Sequence, residues 1–85
     1  MVAEDIEIGE VYFVQILMSG YHYEAFVTVT GHGTPSARGS AVFLCETVWI
    51  AGGNSMYCGD GWLIHYFKRV ATEMEKKEFY MRQLK

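Results

Sequence analysis

Three histidines and two cysteines are the side chains in this sequence best suited to bind a metal ion: His22, His32, His65, Cys45 and Cys58. Zinc sites usually draw such ligands from closely spaced pairs, either Cys-x-x-Cys or two histidines a helical turn apart. Neither spacing occurs here, and the five side chains fall on different expected strands, loops and a helix. We therefore predict no metal site and no cofactor, with histidines at the surface and free thiols in the core.

Cys58 is the residue best placed for nucleophilic catalysis. It precedes Gly59-Asp60-Gly61, where we expect a helix to begin, and a helix N-terminus lowers the pKa of a thiol. His65 follows one to two helical turns later, so Cys58, His65 and Asp60 form a candidate triad. Asp60 is better used as the N-cap of that helix. We predict that the protein is not an enzyme and keep a small cysteine- or zinc-dependent enzyme as an alternative.

Glycines that could cradle a phosphate occur in Gly31-His32-Gly33 and in Gly52-Gly53. Neither segment continues into the Gly-Lys-Ser/Thr of a P-loop, and neither matches Gly-x-Gly-x-x-Gly between a strand and a helix. We interpret both as turns in two loops, residues 31–40 and 51–61.

The cationic side chains are concentrated near the C-terminus. Six of the seven lie in the last 18 residues: Lys68, Arg69, Lys76, Lys77, Arg82 and Lys85. Residues 1–60 hold one cation and seven carboxylates, a charge of −6; residues 61–85 hold six cations and three carboxylates, a charge of +3. Nucleic-acid binding requires a cluster of uncompensated cations, and three glutamates interrupt this one. A nucleic-acid-binding domain that uses the basic C-terminal helix is therefore an alternative, less favoured than a protein-binding one.

Two segments with alternating apolar side chains predict a β-hairpin, with His22 at the start of its second strand. Apolar side chains occupy every second position in residues 11–18 and again in residues 23–30. Ser19-Gly20 between them suits a two-residue turn. That turn pairs Ile16 with Tyr23 and Phe13 with Phe26, and it places both apolar rows on one face.

A third strand and a helix complete the predicted architecture. Residues 41–50 are apolar on both faces, as in a central strand. From Gly61, apolar residues recur at helical spacing through Leu63, Phe67, Val70 and Met74, and the helix would extend to about residue 82. We predict an α+β fold, a three-stranded antiparallel sheet (β-β-β-α) with one long C-terminal helix packed on one face. That face consists of Tyr12, Val14, Ile16, Tyr23, Ala25 and Val27.

The 85 residues are expected to form a single domain, with residues 1–9 as a frayed acidic arm. No apolar run approaches the ~20 residues that a membrane-spanning helix needs. The first residues also lack the basic and apolar regions of a secretory signal. We expect a cytoplasmic protein, in which two cysteines do not indicate a disulfide framework.

Excess aromatic surface predicts a protein contact, since the Phe13–Phe26 pair would form an exposed patch on the second face of the hairpin. A second protomer, a partner or a loop of the chain would cover it. The opposite charges of sheet and helix favour a homodimer. The predicted partner-binding residues are Phe13, Phe26, Arg38, Lys68, Arg69, Lys76, Lys77, Phe79 and Tyr80.

These features favour a small, non-enzymatic protein-binding module. In size, acidity and predicted architecture the chain resembles phage-encoded inhibitors of host machines, among them anti-CRISPR and anti-restriction proteins. The resemblance rests on no residue motif. It implies an inhibitor that occludes a nucleic-acid-processing complex.

Overall fold

A computed structural model describes residues 1–18, 21–51 and 61–83, which form five strands and one α-helix. The strands are β1 (Val11–Met18), β2 (Tyr21–His32), β3 (Val42–Ala51), β4 (Gly61–Leu63) and β5 (Phe67–Val70). The helix, α1, is Glu73–Gln83. Two 3-10 turns are found at Ala3–Asp5 and Ile64–Tyr66. Within these ranges, no helix combines the length and apolar character that crossing a membrane would take.

The strands pair antiparallel in the order β4-β3-β2-β1-β5 and form a curled half-barrel. The α+β class and the hairpin are confirmed, and Phe13 pairs with Phe26 and Ile16 with Tyr23 in the predicted register. The prediction of three strands and one long helix is wrong. Residues 61–63 and 67–70, which were expected to form the first half of the helix, are instead two further strands, β4 and β5. These strands lie at the two edges of the sheet.

The local sequence explains why residues 61–70 are extended and the helix begins only at Glu73. Aromatic and branched side chains, which prefer strands, dominate this segment. Thr72 and Glu75 then form a capping box: the Glu75 N–H donates to Thr72 Oγ1 at 3.2 Å, and the Thr72 N–H donates to Glu75 Oε1 at 2.8 Å. Asp60, the predicted N-cap, lies outside the described residues.

The short connection between β4 and β5 accounts for the curl of the sheet. The 3-10 turn Ile64–Tyr66 links strands at opposite edges. In a flat five-stranded sheet those edges would be about 19 Å apart, while the chain from Leu63 to Phe67 spans at most about 14 Å. The sheet must therefore curl until its edges approach each other.

The curl buries the face that was predicted to receive the helix. Phe67 on β5 and Trp62 on β4 are buried there, and the Phe67 ring lies 5.5 Å from the Tyr12 ring and 5.7 Å from the Phe43 ring. This first core also contains the predicted apolar rows of the hairpin. The prediction that the helix packs on this face is wrong because the edge strands of the sheet occupy it.

Helix α1 packs on the opposite face and builds a second core. Phe79 is 0% exposed and clusters with Val11, Phe26 and Ala71, with Phe13 and Val48 at the border. The cover for the Phe13–Phe26 pair is thus a segment of the same chain.

Residues 1–9, expected as a frayed arm, contact the first core. Ala3 and Ile6 pack against it. The Glu7 N–H donates to Tyr12 Oη at 2.8 Å, and Tyr12 Oη donates to the Asp5 carbonyl at 3.3 Å. Gly9, at φ 93°, turns the chain so that its N–H donates to the Val29 carbonyl at 2.8 Å.

Candidate protein-contact surface

The three phenylalanines predicted to bind a partner pack within the protein. The Phe13 and Phe26 rings lie 5.7 Å apart, and Phe26 and Phe79 are both buried in the second core. Phe13 is half-buried, and the Arg69 guanidinium carbon lies 4.9 Å from the centre of its ring. These aromatics hold α1 on the sheet and pack as core rather than as an exposed patch.

Two of the predicted contact cations fix the start of α1. Arg69 on β5 forms a bidentate pair with Glu75, at 2.6 and 3.0 Å. Lys76 Nζ lies 2.8 Å from Glu10 Oε1, just before β1. Each pair joins the helix to a strand or its flank, so these charges orient α1 rather than extend toward a partner.

The two ion pairs shift the pKa values of their carboxyl groups. Hydrogen bonds from Arg69, with smaller contributions from the Thr72 amide, lower the pKa of Glu75 to about 2. Hydrogen bonding to Lys76 and to the Val11 amide lowers the pKa of Glu10. Both carboxylates therefore remain charged through mildly acidic conditions, and α1 keeps its electrostatic anchors there.

The other predicted cations are more accessible. Lys68 on β5, Lys77 on α1 and Arg38 in the loop before β3 are exposed, and none forms an ion pair with a carboxylate in the described part of the chain. Arg82 pairs with Glu78 at 2.8 Å. Tyr80 is half-exposed. Lys77 and Tyr80 are thus the predicted contact residues that α1 presents to solvent.

Helix α1 exposes a pair of methionines on the side away from the sheet. Met74 is 82% exposed and Met81 is 68% exposed. Together with Lys77, Glu78 and Arg82 they line one shallow groove. We call Met74, Lys77, Glu78 and Met81 the methionine face. Ile50, exposed at the end of β3, lies beside Glu78 and Arg82 in an adjoining cavity and extends the apolar surface.

The spacing of these residues explains their common direction. Positions i, i+3, i+4 and i+7 share one side of a helix, so Met74, Lys77, Glu78 and Met81 point the same way. Phe79 lies about 150° away around the axis and points to the sheet. Met74, predicted to face the sheet as part of a longer apolar stripe, faces solvent instead. Phe79 determines which side of α1 faces the sheet. The predicted apolar stripe through residues 63–74 does not.

Sequence reasoning predicted Lys77 as a contact residue but missed the pairing of Met74 and Met81 on one exposed side of α1. The signal for this pairing is two methionines seven residues apart, with Phe79 on the opposite side of the same short helix. This spacing indicates an exposed face only if the helix begins at the Thr72-x-x-Glu75 capping box. A helix that begins at Gly61 would place Met74 in the core.

The histidines considered for metal binding lie apart. His22 and His32 are ten residues apart on β2, about 30 Å along an extended strand. The Nε2 of His22 lies 3.1 Å from Gln15 Nε2, and the His32 ring packs 5.3 Å from the Phe43 ring. No group of three metal-binding side chains occurs in residues 1–18, 21–51 and 61–83.

Of the three residues considered as a nucleophilic triad, the structure describes only His65. His65 lies on the turn between β4 and β5, with its Nε2 3.0 Å from Ser40 Oγ. Burial raises the pKa of the Cys45 thiol to about 12, which leaves it protonated and unreactive at neutral pH. Cys58 and Asp60, and with them the candidate triad, lie outside the described residues, as does Gly52-Gly53.

Comparisons of the chain with protein-family models, with curated proteins and with solved structures found no match.

Proposed function

We propose that this protein is a protein-binding module that contacts its partner through the methionine face of α1. The observation that carries the proposal is the exposure of Met74 and Met81 on a helix whose inward side is already anchored by Phe79. Methionine side chains are flexible and polarisable and adapt to varied surfaces. Methionine, tyrosine and arginine are also enriched in protein interfaces, and Tyr80 and Arg82 lie on the same helix.

The charges of α1 support a protein partner more than a nucleic acid. Arg69 and Lys76 are used in ion pairs within the protein, and Arg82 pairs with Glu78. The cations left for phosphate contacts in the described region are scattered over a loop, a strand and the helix. Nucleic-acid binding gains affinity as protein cations displace counterions from the phosphates, so it needs more cations on one surface.

The narrower hypothesis, an inhibitor that occludes a nucleic-acid-processing complex, stays a prediction. It names the kind of partner that the methionine face would contact. Homodimerisation also stays a prediction.

Affinity capture from cell lysate tests the proposal with three immobilised forms of the chain. They are the natural chain, Met74→Ser with Met81→Ser, and Ile8→Ser with Leu17→Ser. The control pair removes two exposed apolar side chains distant in sequence from α1, 61% and 68% exposed. We expect the natural chain and the control to retain the same protein in stoichiometric amount, and the methionine variant to retain at least about tenfold less. Equal capture by all three forms would contradict the proposal, as would capture by none together with a natural chain that stays monomeric.

A further inference from the structure

We propose that the methionine face receives a second copy of this chain, with the two α1 helices side by side and parallel about a twofold axis that runs along them. This inference rests on the proposed function and names the partner. It is carried by the arrangement of two charges around the two methionines of one helix.

The methionine face has an apolar centre, with the cation Lys77 on one border and the carboxylate Glu78, paired with Arg82 of its own helix, on the other. Met74 and Met81 are seven residues apart, which is two turns, so their side chains lie almost in line along the helix. Lys77 and Glu78 are consecutive and therefore about 100° apart around the axis. The methionine line falls between them, with the lysine on one border and the glutamate on the other.

This arrangement is self-complementary for parallel helices. When two copies meet face to face and parallel, the Lys77 border of each helix meets the Glu78 border of the other, as in the paired flanking charges of a parallel coiled coil. An antiparallel meeting would place Lys77 against Lys77 and Glu78 against Glu78. The charges thus both permit self-association and select its orientation.

The two charges are available for this contact. Lys77 is exposed and has no ion pair with a described carboxylate. Glu78 pairs with Arg82 of its own helix through Oε1. A carboxylate accepts several hydrogen bonds, so Glu78 can bind a lysine while it keeps that pair. Glu75 and Lys76 are held by Arg69 and Glu10 and do not compete.

The contact is small, and we expect the dimer to be weak. A stable interface buries about 800 Å² on each partner, and one side of an 11-residue helix offers less. Association is therefore expected at high protein concentration, with rapid exchange, and it should weaken as salt screens the border charges.

Sedimentation equilibrium of two charge-reversal variants tests the proposal. Lys77→Glu makes both borders acidic and Glu78→Lys makes both basic, so each variant alone should dimerise at least about tenfold more weakly than the natural chain. Their equimolar mixture should regain an affinity equal to or above that of the natural chain. The natural net charge of −3 becomes −5 with Lys77→Glu and −1 with Glu78→Lys, so general attraction between oppositely charged proteins cannot explain a recovery. A natural chain that stays monomeric, or a mixture no tighter than the single variants, overturns the inference.

A cysteine at position 74 tests the orientation. Parallel helices place the two copies of Met74 together, so Met74→Cys should form a disulfide-linked dimer under mild oxidation. Antiparallel helices in register would separate them by about 10 Å along the axis and prevent the bond. The natural chain, which keeps its own cysteines, gives the background. Cross-linking no higher than that background contradicts the parallel arrangement.

The two proposals fail separately. If the natural chain is monomeric while lysate capture of another protein depends on Met74 and Met81, the second copy is excluded and the binding face is retained. If capture is also independent of both methionines, the proposed function fails.

Discussion

Phe79 is the aromatic side chain that α1 contributes to the second core. It is fully buried among Val11, Phe26 and Ala71, and the adjacent Tyr80 is half-exposed. We expect Phe79→Ala to lower the free energy of unfolding by about 3 to 5 kcal/mol, because burial of a large ring is lost and a cavity remains. In a domain with a total stability on the order of 5 kcal/mol, such a loss unfolds much of the protein.

Tyr80→Ala is the matched control for this prediction, with an expected cost below about 1 kcal/mol. Urea denaturation followed by tryptophan fluorescence measures both variants. Equal costs at the two positions would show that α1 does not pack as described.

Glu75 should make stability depend on pH in the acid range. Its pKa falls from an ordinary 4.5 to about 2 in the folded state, chiefly because Arg69 donates to it. A carboxyl group whose pKa is lowered by folding stabilises the folded state fully at pH values above its pKa in the unfolded chain. This stabilisation is lost as the pH falls through the folded-state pKa of about 2. The urea midpoint of the natural chain should therefore drop between about pH 5.5 and pH 2.5.

Glu75→Gln should reduce that drop without abolishing it, because the pKa of Glu10 is also lowered in the folded state and Glu10 contributes to the drop as well. Glu73→Gln is the matched control, since Glu73 is 87% exposed and its own contact is a looser pair with Lys76 at 3.6 Å. An unchanged pH profile in Glu75→Gln, or an equal change in both variants, would contradict the assigned role of the Arg69–Glu75 pair.

Among the elements, the β1–β2 hairpin could be predicted in detail and the start of the helix could not. Alternation predicts the pairing of Phe13 with Phe26, and so does the expected turn at Ser19-Gly20, two residues that lie outside the described ranges; the observed pairing agrees with both signals. Residues 61–70 match a helical stripe by spacing but a strand by residue type. Pairing with distant β1 and β3 decides between the two, and that information is absent from the local pattern.

The capping box at the start of α1 should contribute measurably to the stability of the protein. Thr72→Ala removes the hydroxyl that accepts the Glu75 N–H and should cost about 1 kcal/mol. Thr34→Ala, at an exposed loop position, should cost less than about 0.5 kcal/mol. Thermal denaturation followed by circular dichroism compares them. A cost at Thr72 no greater than at Thr34 would contradict a helix that begins there.

At the scale of the whole molecule, one curled sheet separates two cores. The first is closed by the edge strands and the N-terminal turn, and the second by α1. Part of the charge difference between residues 1–60 and 61–85 is neutralised within the fold, because Lys76 of the second segment forms an ion pair with Glu10 of the first. Phe26 and Phe79, predicted to contact a partner, are core residues, and Phe13 packs at their border, because the chain covers its own second face. No pattern in the sequence distinguishes such a cover from a partner.

The most direct measurement of the central claim is NMR of the methionine methyl groups in 13C-methyl-labelled protein. The chain has five methionines, and Met1, exposed and far from α1 in sequence, serves as an internal control. In dilute solution a soluble paramagnetic agent should relax Met74 and Met81 strongly. Excess unlabelled chain should then shift both signals and protect them from the agent, while Met1 stays unchanged. Met74 and Met81 signals that neither shift nor gain protection, or an equal response at Met1, would contradict the account.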